Sequence, residues 1–460
     1  VGCAGMLARK SLLAFSTDIL KALFGFAATF FIAHYLGATA LGTIGYLLGL
    51  LGTLALVSDL GMHQAFRKCA AERPEDNGGY VSAFIIAKTV LGLLLFGACL
   101  VAPLAYPRLA AQLTAADVRG AYWAIAAYYL CNNFIYIPLL TFQARRETAR
   151  LALPTTIGAL ISSAAKIILA IARVSLTTLA IAYMLETVVG LVLSLALFWG
   201  YPLRRPSRTE FNHLFAYAWP MIFVTMLAYI LPNADRILVE NFWGTSEVGF
   251  YTAVLGLVAL MQRVPLAAMT IFFPQTSEDA AKGDLCEIGR RLSVMERYLL
   301  MITVPLSVGV ALSSAQLTRL YLGAEFSRSA PILAVLAFSP LLLSLFEAYN
   351  TVVYVVEKHR YLVIGSVVGL VVLLFADALL VPRSLLGVAT LGLGGLGAAL
   401  GSLASQAVIG VFQVYLARRY ARVGFYWRAV KFVMAGLAMA AVTRLIQWQG
   451  PPTFWMMAIA

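Results

Sequence analysis

The chain has 460 residues, of which 61% are hydrophobic and only 12% are charged, and its formal net charge is +13. Soluble domains carry about 25% charged residues, so this composition excludes a water-soluble protein and predicts a membrane protein. The five cysteines form no CxxC pair and the four histidines show no ligand spacing, which argues against a disulfide framework or a metal site.

Hydrophobic segments follow one another along almost the whole chain. Thirteen stretches reach the roughly 20 residues that a membrane-crossing helix needs, and a partial fourteenth begins at Pro451. The thirteen lie near 11–35, 41–66, 80–105, 120–142, 151–172, 175–200, 213–240, 247–272, 294–316, 329–355, 360–381, 391–417 and 425–446. The links between them are short and hold most of the charge. We therefore predict an all-α polytopic membrane protein of about 14 spans, without a soluble domain.

One short sequence occurs twice, 207 positions apart. The segment 35–42 reads YLGATALG and the segment 242–249 reads FWGTSEVG. Both begin with an aromatic residue and carry two glycines five positions apart, which suits a tight turn between helices. The recurrence predicts an internal repeat in which residues 11–200 superpose on 213–417 as six-helix units.

Lysine and arginine are shared unevenly between alternate links. The N-terminal segment and every second link after it hold 22 of these residues, the other links hold 7, and five lie inside spans. By the positive-inside rule the N-terminus is predicted to be cytoplasmic, together with links 67–79, 201–212 and 273–293, while 106–118 and 317–328 face outside. This bias accounts for much of the positive charge without a nucleic-acid partner.

The link after the sixth span contains two prolines and three arginines and is the predicted lobe boundary. The N-lobe is predicted at 1–206 with helices 1–6, and the C-lobe at 207–424 with helices 7–12. Residues 425–460 add helix 13 and the partial helix 14. Both copies start from the cytoplasm, so the repeat is parallel, about an axis along the membrane normal.

Ionisable residues inside the predicted spans are the main guide to mechanism, because such groups are costly in lipid and usually face a cavity or a partner. The predicted substrate-binding cations are Lys21, Lys88, Lys166, Arg236 and Arg263. The candidate ion-coupling carboxylates are Asp18, Asp235, Glu186, Glu347 and Asp377. The coupling ion is expected to be H⁺ or Na⁺, and no other cofactor, metal site or catalytic residue is expected.

A purely structural interpretation of these charges remains open. Asp18 could pair with Lys21, and Arg236 with Glu240, along their own helices, while cations near helix ends extend to the interface. The set as a whole favours a central cavity with apolar walls and cationic patches. Such a cavity suits an anionic head group attached to a lipid, since arginine binds phosphate oxygens in a fork and lysine acts as a point charge.

Two catalytic interpretations are excluded. Residues 392–397 satisfy GxGxxG, but no strand of a βαβ unit precedes them, so helix packing through small residues explains them better than nucleotide binding. The serines form no constellation with histidine and aspartate, and there is no Walker motif. ATP-driven transport and hydrolysis therefore lack support.

Four stretches form a common pattern over about residues 10–420. They are 35–42 with Ser58-Asp59-Leu60-Gly61 and Arg67; Asp235-Arg236-Ile237-Leu238 with Gly244, Glu247-Val248-Gly249 and Tyr251; Leu322-Gly323-Ala324-Glu325-Phe326 with Ala330, Ile332-Leu333 and Leu336-Ala337-Phe338; and 395–401. In order and spacing they resemble the polysaccharide/oligosaccharide-lipid flippase family of the multidrug, oligosaccharidyl-lipid and polysaccharide exporter superfamily.

The resemblance implies two six-helix lobes that meet in a V around a central cavity opened alternately to each side. It implies a multi-pass protein of the cell (plasma) membrane that flips an undecaprenyl- or dolichyl-linked sugar (pyro)phosphate from the cytoplasmic to the outer leaflet. The expected partners are the lipid-linked oligosaccharide, membrane lipids and a downstream glycan polymerase or transferase, with no nucleic acid.

Three other functions were weighed against this expectation. The lipid II flippase branch has two extra helices, as this chain has, but His34 stands where that branch carries an arginine. A cation-coupled multidrug exporter shares the fold, yet its small-residue pattern in the first two helices is not evident. A membrane glycosyltransferase or polymerase is disfavoured because no link is long enough for its catalytic loop.

Overall fold

In a computed structural model, the structure describes residues 2–72, 77–145, 147–355, 359–385, 387–421 and 429–448. These residues are almost entirely helical. The helices are α1 (Gly2–Leu54), α2 (Met62–Glu72), α3 (Gly78–Ala105), α4 (Pro107–Gln112), α5 (Ala116–Ala144), α6 (Thr148–Ile171), α7 (Leu176–Phe198), α8 (Arg208–Ile230), α9 (Ala234–Trp243), α10 (Thr245–Ala281), α11 (Leu285–Leu312), α12 (Ser314–Leu322), α13 (Ser329–Leu336), α14 (Ser339–Val355), α15 (His359–Leu380), α16 (Gly395–Ala421) and α17 (Ala429–Trp448).

The described residues also contain two 3₁₀ turns, Ala55–Ser58 and Ala324–Arg328, and two short strands. β1 (Ser384–Leu385) pairs with β2 (Val388–Ala389) in an antiparallel hairpin between α15 and α16. Within the described residues, eleven helical segments are long and apolar enough to cross a membrane. Many of their side chains, such as Leu104 at 83% exposure and Phe375 at 71%, are apolar and face outward, where lipid replaces water. The all-α polytopic fold class is thereby confirmed.

The predicted spans correspond to these helices with a few differences. The first two spans meet at Gly37, where non-helical backbone angles divide α1 into two helices joined by a kink. The span predicted at 213–240 is divided into α8 and α9 by a turn at 231–233, where Pro232 supplies no backbone donor. The link predicted at 273–293 is mostly helical, because α10 and α11 extend into it. The partial fourteenth span lies outside the described residues.

The two copies of the repeated segment lie directly against each other. The glycines that begin the turns share one conformation, with φ 80° and ψ −179° at Gly37 and φ 84° and ψ 177° at Gly244. The hydroxyls of Thr39 and Ser246, themselves 207 positions apart, are separated by 3.1 Å. Equivalent positions of the two turns therefore meet within the first unit. The superposition of residues 11–200 on 213–417 stays a prediction.

Small residues are required where the copies meet. A Cβ on Gly42 would overlap the carbonyl oxygen of Thr245, and a Cβ on Gly249 would overlap that of Ala38. These two contacts are equivalent under the 207-residue offset. Glycine is thus needed at both positions for close helix approach.

Contacts divide the chain into two compact units, Val1–Thr252 and Ala253–Ala460. In the first unit, α8 packs against α2 and α3, and α9 packs against α1. In the second unit, α16 packs against α13, α14 and α15, and α11 packs against α14 and α17. The lobe boundaries at 206/207 and 424/425 stay predictions.

Each unit has its own apolar core. In the first, the rings of Phe66 and Phe84 stack 4.3 Å apart, beside the buried Phe142. In the second, Tyr349 and Val352 of α14 pack with residues of α10, α11 and α16. These cores hold the helices that carry the buried polar residues.

Candidate functional site

A helix break separates α1 from α2 in the first unit. The 3₁₀ turn Ala55–Ser58 follows α1, and Leu60 and Gly61 after it have positive φ angles of 43° and 82°. Position 61 requires glycine because its backbone is left-handed and a Cβ would lie 2.5 Å from the carbonyl oxygen of Ala218. The last carbonyl oxygen of the 3₁₀ turn accepts a hydrogen bond of 2.7 Å from Lys88 Nζ.

Lys88 of α3 is fully buried, with 0% of its surface exposed. Its ammonium lies 5.8 Å from the ring centroid of Phe84 and 6.0 Å from that of Tyr136, and Asp59 is close enough to attract it. The Lys88 backbone carbonyl accepts a 2.9 Å hydrogen bond from Asn133 Nδ2. In this conformation the Lys88 ammonium is held at the helix break by the Ser58 carbonyl oxygen.

Asp59 and His63 form a buried pair at the start of α2. The Asp59 carboxylate accepts a 2.9 Å hydrogen bond from the His63 backbone N–H, and its other oxygen lies 2.9 Å from His63 Nδ1. The two residues are 5% and 9% exposed. The imidazole packs on Tyr136 with 4.1 Å between ring centroids. Among the residues the structure describes, His63 Nε2 has no hydrogen-bond partner.

Five tyrosines from three helices surround these charges, and we call them the tyrosine cluster. They are Tyr128, Tyr129 and Tyr136 of α5, Tyr183 of α7 and Tyr229 of α8. Tyr128 and Tyr129 meet edge to face at 4.9 Å, and the Tyr129 hydroxyl donates a 2.8 Å hydrogen bond to the Leu48 carbonyl oxygen. Tyrosine combines an apolar ring with a polar tip, so the cluster suits an amphipathic ligand.

Lys166 and Glu186 lie next to the tyrosine cluster, close to Tyr183 and Tyr128. Lys166 Nζ lies 3.8 Å from a Glu186 carboxylate oxygen and 3.7 Å from the centroid of the Tyr183 ring. Lys166 is 7% exposed, whereas the Glu186 side chain is 38% exposed. The lysine is therefore held by an ion pair and a cation–π contact, with its carboxylate partner open on one side.

Arg236 completes the cationic group of the first unit. It is half-buried, its side chain packs beneath Gly49 of α1, and it lies close enough to Tyr129 and Tyr183 to interact electrostatically. Its Nε is buried and lacks a hydrogen-bond partner within the described ranges. The neighbouring Asp235 is 3% exposed and accepts a hydrogen bond from the Tyr251 hydroxyl.

Lys21 and Asp18 are paired with each other. Their charged atoms are 2.7 Å apart within one helical turn of α1, and their side chains are 27% and 46% exposed. This is the local pairing that the sequence analysis left open. The structure thus brings Lys88, Lys166, Arg236 and Glu186 together around the tyrosine cluster, and it gives Lys21 and Asp18 a partner of their own.

The second unit contains a cavity of about 380 Å³. Its polar lining comes from Gln262, Glu347, Gln406 and Gln413, and its apolar lining includes Phe346. Gln262 donates a 2.8 Å hydrogen bond to the Ser339 hydroxyl, which donates at 2.9 Å to Gln406. Glu347 accepts a 3.0 Å hydrogen bond from Asn350. The amides can both donate to and accept from hydroxyl groups, whereas the carboxylate accepts from them.

The remaining predicted residues of the second unit lie apart from that lining. Arg263 is half-buried on α10 next to Gln262, but it is not among the residues that line the cavity. Asp377 of α15 is 1% exposed and faces Gly401 of α16, where a Cβ would overlap its carboxylate. The roles assigned to the ten residues from the sequence stay predictions.

The sequence analysis missed two features of this site. His63 was passed over because it has no metal-ligand spacing, although Asp59 and His63 are four positions apart on either side of a glycine. The tyrosines were also overlooked, although Tyr129 and Tyr136 recur at a seven-residue spacing that places them on one helix face. Both signals are visible in the sequence.

Comparison with known proteins places the chain in a family. A family model described as "Polysaccharide biosynthesis protein" matches residues 31–331, well over half of the chain. The chain belongs to the polysaccharide biosynthesis protein family. This confirms the family recognised from the four sequence motifs.

One curated protein is similar to this chain in sequence, and solved structures of transport proteins are similar to it in fold. The probable low-salt glycan biosynthesis flippase Agl15 of Haloferax volcanii is 24% identical over 455 residues, which cover 95% of this chain and 89% of the relative. The fold is similar to that of the lipid II flippase MurJ in an inward closed conformation, with a TM-score of 0.78, 14% identity and coverage of 97% and 95% of the two chains.

A third comparison concerns an inward-facing multidrug resistance MATE family transporter of the MOP superfamily. Its TM-score is 0.70 at 14% identity, and the alignment covers 90% of this chain and 98% of the transporter. At these identities the structural likeness shows the fold alone. The chain is a multi-pass membrane protein with the fold of this transporter superfamily.

Proposed function

We propose that the protein is a secondary transporter that flips a polyprenyl-(pyro)phosphate-linked oligosaccharide from the cytoplasmic to the outer leaflet by alternating access. Family membership and the relation to a probable glycan flippase support the class of substrate. The proposed activity is transport and not catalysis, and the proposed location is the cell membrane with a cytoplasmic N-terminus.

The observation that carries the proposal is the group of cations around the tyrosine cluster. Arg236 keeps a buried Nε without a partner among the described residues, and a buried donor of this kind normally has a ligand or a water. A pyrophosphate offers several acceptor oxygens to such a guanidinium. Lys166 and Lys88 add positive charge beside Tyr183 and Tyr136 of the same cluster, while the tyrosine rings offer apolar surface to the sugar and the polyprenyl chain.

The cavity of the second unit supports the sugar part of the substrate. Three glutamines and Glu347 present amide and carboxylate groups, and Phe346 presents an aromatic face. This chemistry suits neutral hydroxyl-rich molecules better than phosphate, because no cation is among the described lining residues. We propose that Gln406 and Gln413 contact the oligosaccharide, and that a glycan polymerase or transferase uses the flipped product.

The test is to replace Lys21, Lys88, Lys166, Arg236 and Arg263 individually by glutamine, scoring folded protein and flipping for each. Removing a cation from a desolvated phosphate contact should cost about 2–5 kcal/mol of binding, much of it from leaving a charge unpaired. We expect slow flipping with normal protein levels, most strongly for Arg236→Gln. Transport of a phosphate-free glycolipid of the same chain length serves as the control.

If all five variants fold and flip the pyrophosphate lipid at the wild-type rate, the cations do not bind substrate. They are then structural or face lipid. A variant that lowers only the amount of folded protein indicates an ion-pairing role instead, because an orphaned charge remains in the membrane.

A further inference from the structure

We propose that Asp59 and His63 are the proton-binding pair of the transporter, and that their protonation controls how firmly Lys88 is held at the helix break. The inference rests on the proposed function, since it assigns the coupling ion of the flippase. It selects the proton over sodium and places it on residues outside the ten predicted from the sequence.

Both carboxylate oxygens of Asp59 contact His63. Asp59 Oδ2 lies 2.9 Å from His63 Nδ1, and the other carboxylate oxygen is occupied by the His63 backbone N–H. An ionised carboxylate is acceptor-only, so Nδ1 must carry the shared hydrogen. In the neutral imidazole, Nε2 is then the nitrogen with a free lone pair.

The other ring nitrogen of His63 can accept a proton. His63 Nε2 is buried and has no hydrogen-bond partner in the described parts of the chain. A buried acceptor without a partner is costly, and each one needs an explanation. Here one proton from water binds the Nε2 lone pair and gives an imidazolium, while Nδ1–H stays on Asp59. No other bond forms or breaks and no electron is transferred.

A proton on His63 acts on Lys88 electrostatically. With His63 neutral, the carboxylate of Asp59 faces one full positive charge, that of Lys88. Protonated His63 places a second positive charge on the same carboxylate and repels Lys88 across a low-dielectric interior. The hold of Lys88 on the Ser58 carbonyl oxygen weakens, and the ammonium becomes available to an anion.

The helix break provides the movable element. Leu60 has φ 43°, a left-handed conformation that is strained for a leucine and is kept only while its surroundings hold it. Gly61 follows with φ 82° at no such cost. Broken helices with freed carbonyl groups are where transporters bind coupling cations, and Lys88 occupies that place here. A built-in ammonium leaves no role for sodium at this break.

The charged and titratable groups that face the pair come from its own segment and from the helices packed against it. They are Arg67 of α2, Lys88 of α3, Tyr136 of α5 and Tyr229 of α8. Of these, only the two cations carry charge near neutral pH. Burial and the two cations oppose a charge on His63 and Asp59 favours it, with the result that the pKa of His63 lies below its ordinary value. Binding of an anion near Lys88 therefore favours proton uptake.

Linkage makes this coupling reciprocal: if an anion promotes protonation, protonation promotes anion binding by the same factor. We expect the wild-type protein to bind a pyrophosphate diester at least about fivefold more tightly at about pH 5.5 than at about pH 8.5. The probe is a short-chain polyprenyl pyrophosphate carrying one N-acetylglucosamine, because a diester does not titrate in this range.

The closing experiment uses the full chain in detergent with ¹⁵N-labelled histidine. The protein has only four histidines, so the His63 signal is assigned by its loss in His63→Asn. Asparagine keeps an amide donor to Asp59 but cannot titrate. We expect the wild-type His63 signal to change from neutral imidazole to imidazolium between the two pH values. We expect the pH dependence of probe binding to disappear in His63→Asn.

The matched control is His213→Asn. His213 lies in the same unit, with its Nδ1 3.1 Å from the Tyr80 hydroxyl, and its replacement should leave the pH dependence intact. If His63→Asn does not fold, the signal is assigned in a variant in which the other three histidines are replaced, because the remaining histidine signal is then that of His63. A His63 that stays neutral throughout, or unchanged pH dependence in His63→Asn, overturns the proposal. Neither result depends on flipping, which is measured separately and tests the proposed function.

Discussion

Glycine at positions 42 and 249 is needed at the contact between the repeat copies, because any Cβ there would overlap a backbone carbonyl of the opposite copy. Gly42→Ala and Gly249→Ala should each destabilise the protein by about 1–3 kcal/mol through overpacking. Thermal unfolding in detergent, followed by the fraction of monodisperse protein, measures this loss. Gly25→Ala is the control, since nothing lies within 4 Å of its Cβ position. Equal stability of all three variants would contradict the close contact.

Lys166 and Glu186 should respond unequally to mutation, because only the lysine is buried. Glu186→Gln leaves a buried ammonium without its counter-charge and should cost up to about 3–5 kcal/mol. Lys166→Met leaves a carboxylate that is partly open and should cost much less. Unfolding midpoints of both single variants and of the double variant test the asymmetry. The account fails for this pair if Lys166→Met is the more damaging change, or if the double variant is no more stable than Glu186→Gln.

Hydrogen bonds connect two short helices of the first unit, α4 and α9. Gln112 donates to the Glu240 carboxylate, and Arg108 donates to the backbone and side-chain oxygens of Asn241. We expect this contact to open if the proposed alternating access separates the two predicted lobes, because α4 belongs to one and α9 to the other. A short bismaleimide cross-link between Gln112→Cys and Glu240→Cys should therefore stop flipping, and cleaving a reducible version should restore it.

The control for this cross-link joins α5 to α7, using Asp117→Cys and Thr177→Cys. The Thr177 hydroxyl already donates a 2.9 Å hydrogen bond to the Asp117 carbonyl oxygen, and these helices pack along much of their length. This link should leave flipping unchanged. Full transport with the first link formed would show that α4 and α9 never separate.

The helices were predictable from the sequence because apolar length alone decides which segments cross a membrane. Their interruptions were not all predictable. The bend at Gly37 follows from the glycine that the repeat singled out, and the break at Pro232 from the proline. The break before Leu60 arises where Lys88 of the neighbouring α3 satisfies the freed Ser58 carbonyl oxygen. The partners of the charges were predictable only within one helix, as for Asp18 and Lys21. Lys88 meets the Ser58 carbonyl through tertiary packing that no local pattern records.

At the scale of the whole molecule, the distribution of Lys and Arg predicts the orientation in the membrane. Cys286 is exposed in the first turn of α11, inside the link predicted to be cytoplasmic. A membrane-impermeant maleimide added to intact cells should leave Cys286 unlabelled, while a permeant one should label it. Thr114→Cys, in the link predicted to face outside, should react with both reagents. Labelling of Cys286 by the impermeant reagent would reverse the assigned topology.

Flipping of a lipid-linked oligosaccharide can be measured directly in proteoliposomes of the purified chain. A short polyprenyl pyrophosphate with a radiolabelled sugar is placed on the inner leaflet only, and its arrival outside is followed with a glycosidase that cannot cross the membrane. The account predicts progressive cleavage with the wild-type protein and much slower cleavage with Arg236→Gln at equal amounts of folded protein. The proposal is contradicted if cleavage is no faster than in protein-free liposomes at both about pH 5.5 and about pH 8.5, with folded wild-type protein present.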